Sequence, residues 1–319
     1  MKTKLFEHLN GLELGTPQTF NNLTVVPLTI EKEEKLKYIS LKKALADNLI
    51  EISEVDESGH VPELKVRNKS DEFILIIDGD QFIGAKQNRI INASILIDRK
   101  AETVINVACV EEGRWSYKSK NFSGSDFMLQ RNIRQKKMKS VHNSLKNFSA
   151  FEANQGEIWD EVHHFQSDAD FCSPTSSMDE TYKAKEKELK EVSQSFSLQP
   201  HQRGMIVFVD NKISGFEYIS SEQVFSEYFE KILNSYSATA IFKEQTENET
   251  IDFLGESKSF LKNLGETKEN KYKSLGIGDD LRFENKNTQA SALVHDNEVL
   301  HLVGFSLDSD RKNQRRAFY

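Results

Sequence analysis

Two short stretches concentrate residues whose types and spacing could do chemistry. The first, "DGDQFIGAKQNR" (residues 78–89), sets Lys86, Gln87, Asn88 and Arg89 in a row behind Gly84 and Ala85. Here two cations that suit oxyanions flank two amides that suit sugar hydroxyls or base edges. The small residues before them let a ligand come close to the backbone. The second, "CVEEGRWSY" (109–117), puts Glu111 and Glu112 beside Arg114 and Trp115. A carboxylate near cations can activate water as a general base, a guanidinium can clamp an anion, and an indole can stack on a ring. On this reading Lys86, Arg89 and Arg114 meet phosphate, Gln87 and Asn88 read sugar or base, Trp115 stacks, and Glu111 or Glu112 is the base.

Both stretches also have plain structural explanations. Asp78-Gly79 after the apolar run "FILII" is hairpin-turn chemistry, and a polar strand behind it can be a solvated edge. The second stretch can be a strand end and a turn with Trp115 buried. Cys109 stands in a β-forming run and reads as a small buried apolar group rather than a nucleophile.

Other constellations are weaker. Asp78, Asp80, Glu111 and Glu112 could offer oxygen ligands to Mg²⁺ or Mn²⁺ if the two segments meet, but no metal or other cofactor is expected. Glu157, Glu161 and His164 share a helix face, which is half of a carboxylate-bridged metal site. Without a second such helix they read as a solvated face. His295 and His301 share a sheet face only if their hairpin loop has an odd number of residues. Between Asp126 and Glu152 there is no carboxylate, while Arg131, Arg134, Lys136, Lys137, Lys139 and Lys146 fall there. Segment 131–146 reads as an amphipathic helix with a solvated cationic face. Glycine-rich nucleotide loops, HExxH and GxSxG are absent from the sequence.

The elements that would carry these residues change in character along the chain. Alternating and apolar runs make 12–120 β-rich, including "LTVVPLTI", "IEISEV", "ELKVRN", "RIINASILID" and "TVINVACV". Segment 128–197 is polar and helical, with "QGEIWDEVHHF" and "ETYKAKEKELKEVSQSF" as helices and "FCSPTSSMDE" as a loop. A β-plus-helix unit fills 204–307: a hairpin "GMIVFVDNKISGFEYI", a helix over 221–242 capped by Ser220 or Ser221, a helix near 251–264, and a hairpin over 290–307. Segregated strands and helices predict an α+β fold. Its parts are a largely antiparallel, sandwich-like sheet region, a central helical segment and a C-terminal β-plus-helix unit. One domain over 11–307 with an exposed tail at 308–319 is expected.

With 319 residues, 37% hydrophobic content and 21 Phe, the chain can bury a core. Its net charge of −8 argues against duplex DNA as a partner. Two cysteines give no disulfide framework. Neither a signal peptide nor a membrane span is visible, so the chain reads as cytoplasmic, with no membrane partner. The oligomeric state cannot be read from the sequence.

In order along the chain, "LELGTPQTFNNLTVVPL", "ILIIDGDQFIGAKQNRIINASILI", "VACVEEGRWSY", "NQGEIWDEV" and "GMIVFVDNKISGFEYI" resemble the ARG and rhodanese-phosphatase-superfamily-associated protein domain. This is a bacterial family without an assigned activity. The resemblance runs from about Gly11 to Tyr236, and "ALVHDNEVLHLVGF" is similar to the family's C-terminal hairpin. Positions that match its motifs include Asp78, Gly79, Gly84, Lys86–Arg89, Cys109, Glu111, Gly113, Arg114, Trp115, Gln155 and Trp159. The family's name records association with ADP-ribosylglycohydrolases and with rhodanese-like or phosphatase-like proteins. The resemblance therefore implies recognition of an ADP-ribose- or nucleotide-like phosphate ligand, with hydrolysis or transfer as the chemistry, in NAD or ADP-ribose metabolism, repair or defence. The alternative is a non-catalytic protein-interaction module of a bacterial defence or stress system.

Overall fold

The computed structural model describes residues 4–56, 62–243 and 251–307. The expected tail at 308–319 lies outside them. The fold is α+β, with eight helices and eighteen strands among the described residues.

The largest sheet has nine strands. In spatial order they are Leu12–Leu14, Leu23–Ile30, Gln202–Val209, Lys212–Ile219, Glu298–Ser306, Thr288–His295, Asp279–Glu284 and Glu269–Lys273, with Gln18–Phe20 also paired to Leu23–Ile30. Both hairpins legible in the sequence are here. Asp210-Asn211 and Asp296-Asn297 have φ of 49° and 62°, and of 46° and 64°, the left-handed pairs that a two-residue hairpin loop requires. One sheet face packs Val207, Val303 and Phe305 against Phe225, Tyr228 and Ile232 of the helix Glu222–Ala240. The other face packs Ile206, Phe216 and Leu302 against Leu5, Leu9, Phe260 and Leu264 of the helices Lys4–Asn10 and Phe253–Gly265.

The second sheet has six strands in the order Phe122–Met128, Asp80–Gly84, Arg89–Ile91, Glu102–Cys109, Glu63–Asn68 and Ile50–Glu54. A bridge from Ser53 to Asn121 links its two ends, so the sheet curls into a barrel around Ile52, Val66, Phe82, Ile105 and Val107. The third sheet is Ile95–Ile97, Phe73–Ile76 and Tyr38–Ser40, the last pair parallel. It adds Ile74, Ile76 and Ile95 to the same core. The β-rich segment 12–120 thus supplies strands to all three sheets.

Asp78-Gly79 is a turn but not a hairpin, which corrects the sequence reading. Phe73–Ile76 pairs with Ile95–Ile97 and Tyr38–Ser40, whereas Asp80–Gly84 pairs with Phe122–Met128 and Arg89–Ile91. The chain crosses from one sheet to another at Gly79, whose φ of +87° supplies the reversal, and Asp80 N donates to Ile77 O at 3.0 Å. Apolar alternation identifies a strand but not its partner, so the crossing left no mark in the pattern.

The central segment holds the helices Arg131–Phe148, Gln155–Asp168, Met178–Ala184 and Glu186–Ser193. The last two replace one expected helix, because Lys185 (φ −110°) interrupts it. Phe122–Met128 and the strands between 269 and 284 were not legible, since Ser, Gly, Lys and Asn dilute their β pattern.

Candidate functional site

The site is built at one end of the barrel. The strands Asp80–Gly84 and Arg89–Ile91 pair directly, Phe82 facing Arg89, and residues 85–88 are the loop between them. Gly84 at φ +125° and Ala85 at φ 39° end the pleat. Lys86, Gln87 and Asn88 are therefore loop residues and not part of the polar strand that alternation suggested.

Arg114 gives the loop its shape. Its Nη1 donates to Ala85 O at 2.6 Å and Ser116 O at 2.8 Å, and its Nη2 to Gly84 O at 3.1 Å and Asn88 Oδ1 at 3.2 Å. The same Nη2 lies 2.6 Å from Glu111 Oε2. Glu111 also accepts from Asn88 N at 3.1 Å and Thr175 Oγ1 at 3.0 Å. Burial pushes the Glu111 carboxyl up, but hydrogen bonds from Arg114 and Asn88 outweigh it and hold the group below the usual carboxylate range. A buried carboxylate already used by three donors is a poor general base. Asn88, Glu111 and Arg114 spend most of their polar groups on one another and on nearby backbone carbonyls, with Arg114 Nε left without an acceptor among the described residues.

Arg89 is wholly buried, where the sequence suggested a solvated or ligand-facing strand residue. Its Nη1 donates to Gln87 Oε1 at 2.8 Å and to Cys109 Sγ at 2.9 Å. Among the described residues, Nε and Nη2 have no hydrogen-bond acceptor. Nη2 is 3.9 Å from Glu54 Oε1, and the buried Glu54 accepts no hydrogen bond from the described residues on either oxygen. Cys109 is buried as expected, and burial pushes its thiol up to about 11.

Trp115 covers this end of the barrel and is 50% exposed, which settles its reading as buried or displayed. Lys86 Nζ sits 5.2 Å from the Trp115 ring centroid and 5.1 Å from that of Tyr117, and Arg89 Cζ lies 5.8 Å from Trp115. Gln87 Nε2 donates to Glu112 O at 3.3 Å, and the Glu112 carboxylate at the rim lies 2.9 Å from His163 Nε2. Both sequence stretches therefore meet here. Lys86 and Arg89 each lie against Trp115, while Gln87, Asn88, Glu111 and Arg114 hold the frame.

Asp78 and Asp80 point elsewhere. Asp78 is fully buried, with Lys137 Nζ at 2.6 Å from Oδ2 and Arg134 Nε at 3.3 Å from Oδ1. Arg134 also lies 2.6 Å from Glu217 Oε1, which accepts from Tyr236 OH at 3.0 Å. His301 Nε2 is 3.7 Å from Glu217 Oε2, and its Nδ1 shares a hydrogen bond with Ser94 Oγ at 2.8 Å. Burial raises the Asp78 and Glu217 carboxyls, but Lys137 and Arg134 outweigh it for Asp78, and Arg134 and His301 for Glu217. Burial draws Lys137 down to about 8, against the pull of Asp78. Asp80 binds Lys231 and the Tyr228 hydroxyl, each at 2.6 Å.

The cationic face of Arg131–Phe148 is thus not simply solvated: Arg131, Arg134 and Lys137 are buried. The sequence reading missed this, although their i, i+3, i+6 spacing puts them on one face. It also missed Glu54, Glu217 and Lys231, which no local motif marks. Glu161 pairs with Lys136 and lies 3.4 Å from His164 Nδ1. His295 packs edge-on to Phe73, away from the Glu217 neighbourhood of His301. The four carboxylates considered for Mg²⁺ or Mn²⁺ each hold a different cation or histidine. Among the described residues no group of three His, Cys, Asp or Glu is placed to hold a metal.

No helix among the described residues is long and apolar enough to cross a membrane. No curated protein and no solved structure matches the chain. The family model of the ARG and rhodanese-phosphatase-superfamily-associated protein domain matches residues 11–305, nearly the whole described fold and both stretches of the site, and the chain belongs to that family.

Proposed function

We propose that the protein recognises a small ADP-ribose- or nucleotide-like phosphate ligand at the rim formed by Lys86, Arg89 and Trp115. The observation that carries this reading is the layered arrangement of a half-exposed indole, a cation beside it, and a buried guanidinium below with two donors that meet no acceptor among the described residues. Indole faces take planar rings, ammonium groups take phosphate oxygens, and a guanidinium edge adds directional hydrogen bonds. Gln87, Asn88 and Arg114 shape the loop rather than touch the ligand. If binding leads to hydrolysis or transfer, Glu112 with its partner His163 is the carboxylate at the rim, since Glu111 is locked inside the loop. The family's named association with ADP-ribosylglycohydrolases points to the same ligand class.

The test is titration of the full chain with ADP-ribose, NAD and AMP, following tryptophan fluorescence and melting temperature. Only Trp115 and Trp159 emit, so Trp115→Ala identifies the reporter. The expected result is quenching and a rise in Tm that both vanish in the variant. No response to any of the three overturns the reading. That outcome favours a protein-interaction module, for which the exposed Trp115 and Tyr117 (52% exposed) would be the contact patch.

A further inference from the structure

We infer that Arg89 and Glu54 together read the hydrogen-bonding edge of an uncharged planar group, an acceptor beside a donor, while phosphate is left to Lys86. This rests on the ligand site proposed above and names what its inner half recognises. With Nη1 spent on Gln87 and Cys109, the unspent donors of Arg89 are Nε and Nη2. These two lie on one edge of the guanidinium and project in parallel, a fork that fits a planar acceptor. Beside the fork is Glu54, 7% exposed, with neither carboxylate oxygen accepting a hydrogen bond from the described residues. The 3.9 Å from Nη2 to Glu54 Oε1 is an ion-pair distance but too long for a hydrogen bond.

Charge decides what fits. Glu54 cancels the charge of Arg89, so a phosphate brought to the fork meets a carboxylate as well as a cation. A neutral edge satisfies both partners at once, its acceptor toward Arg89 and its donor toward Glu54. Adenine and a carboxamide such as that of nicotinamide both carry this acceptor–donor pair. Trp115, 5.8 Å from Arg89 Cζ, supplies an aromatic face next to the fork, and Lys86 stands on the indole at the rim where a phosphate would lie.

The experiment uses four ligands that share a phosphate: AMP, nicotinamide mononucleotide, N6,N6-dimethyl-AMP and ribose 5-phosphate. Dissociation constants are measured by calorimetry on the full chain. The expectation is that AMP or nicotinamide mononucleotide binds at least about tenfold more tightly than ribose 5-phosphate. Which of the two does so identifies the ring. Dimethylation, which removes the donor, should reduce AMP to the ribose 5-phosphate level. Glu54→Gln, which keeps one acceptor oxygen but uncovers the charge of Arg89, should narrow the advantage of the ring-bearing ligands, chiefly by tightening ribose 5-phosphate. Equal affinity of ribose 5-phosphate and both ring-bearing ligands overturns the inference while leaving the proposed site standing. So does an advantage untouched by dimethylation if AMP is the tighter ligand, or by Glu54→Gln if nicotinamide mononucleotide is. Failure of all four to bind removes the site and the inference together. The comparison of AMP with its dimethyl analogue needs no variant, and Arg89→Lys, which keeps the charge but lacks the fork, serves if Glu54→Gln does not fold.

Discussion

Four consecutive polar residues, Lys86 to Arg89, look alike in the sequence and separate sharply in the structure. Lys86 is half-buried on two aromatic rings, whereas Arg89 is wholly buried. Lys86→Ala should therefore change stability by no more than about 0.5 kcal/mol, as substitutions near the surface do, while weakening ligand binding. Arg89→Ala should cost about 3 kcal/mol or more, because it strips Glu54 of its counter-charge in a buried setting. Urea denaturation of the two variants distinguishes them, and equal, small effects would mean that Arg89 is not the anchor described here. Gly79 shows the opposite case, a residue whose role the sequence did convey. Its φ of +87° favours glycine, and an added Cβ would stand 2.8 Å from Arg134 Nε. Gly79→Val should thus cost at least about 2 kcal/mol, combining left-handed strain with a disturbed buried ion pair.

At the scale of elements, the sequence conveyed which segments are strands and helices better than which of them touch. The two-residue Asp-Asn hairpins and the Ser40 and Ser221 caps were legible because each rests on neighbouring residues. The sheet crossing at Gly79 and the buried network of the helix Arg131–Phe148 were not, because their partners are distant. Arg134 meets Asp78 across 56 positions and Glu217 across 83. A carboxylate-free window with cations on one helix face was the available sign that anions must come from elsewhere. The helix is accordingly pinned along its first two turns by charge as well as by the apolar contact of Ile133. Glu217→Gln should destabilise the fold by about 3–5 kcal/mol by leaving Arg134 short of negative charge. In a double-mutant cycle with Arg134→Met the two losses should fail to add, whereas additive losses would show that the contact contributes nothing.

For the whole molecule, these buried groups set how stability depends on pH. His8 and His142 are buried, and burial, aided by Lys32 for His8 and Lys146 for His142, lowers each to about 4 from an ordinary 6.5. Between those values the unfolded chain binds protons that the folded chain refuses, so stability is full above about pH 6.5 and falls as pH drops toward 4. Each histidine contributes a slope of at most about 1.4 kcal/mol per pH unit in that window. Asp78, Glu217 and Glu111 act lower down. Their carboxyls are held below the usual range, so their contribution persists to about pH 4 and is lost only as pH falls further through the folded-state values. The acid limb should thus have two parts, a first decline starting near pH 6.5 and a steeper one below about pH 4. Urea midpoints measured from pH 7.5 to 3.5 test this. Replacing His142 with Asn, which does not titrate, should flatten the upper part and leave the lower part in place. A single decline confined to pH below 4, unchanged by that substitution, would mean that the histidines are protonated as readily in the fold as in the unfolded chain.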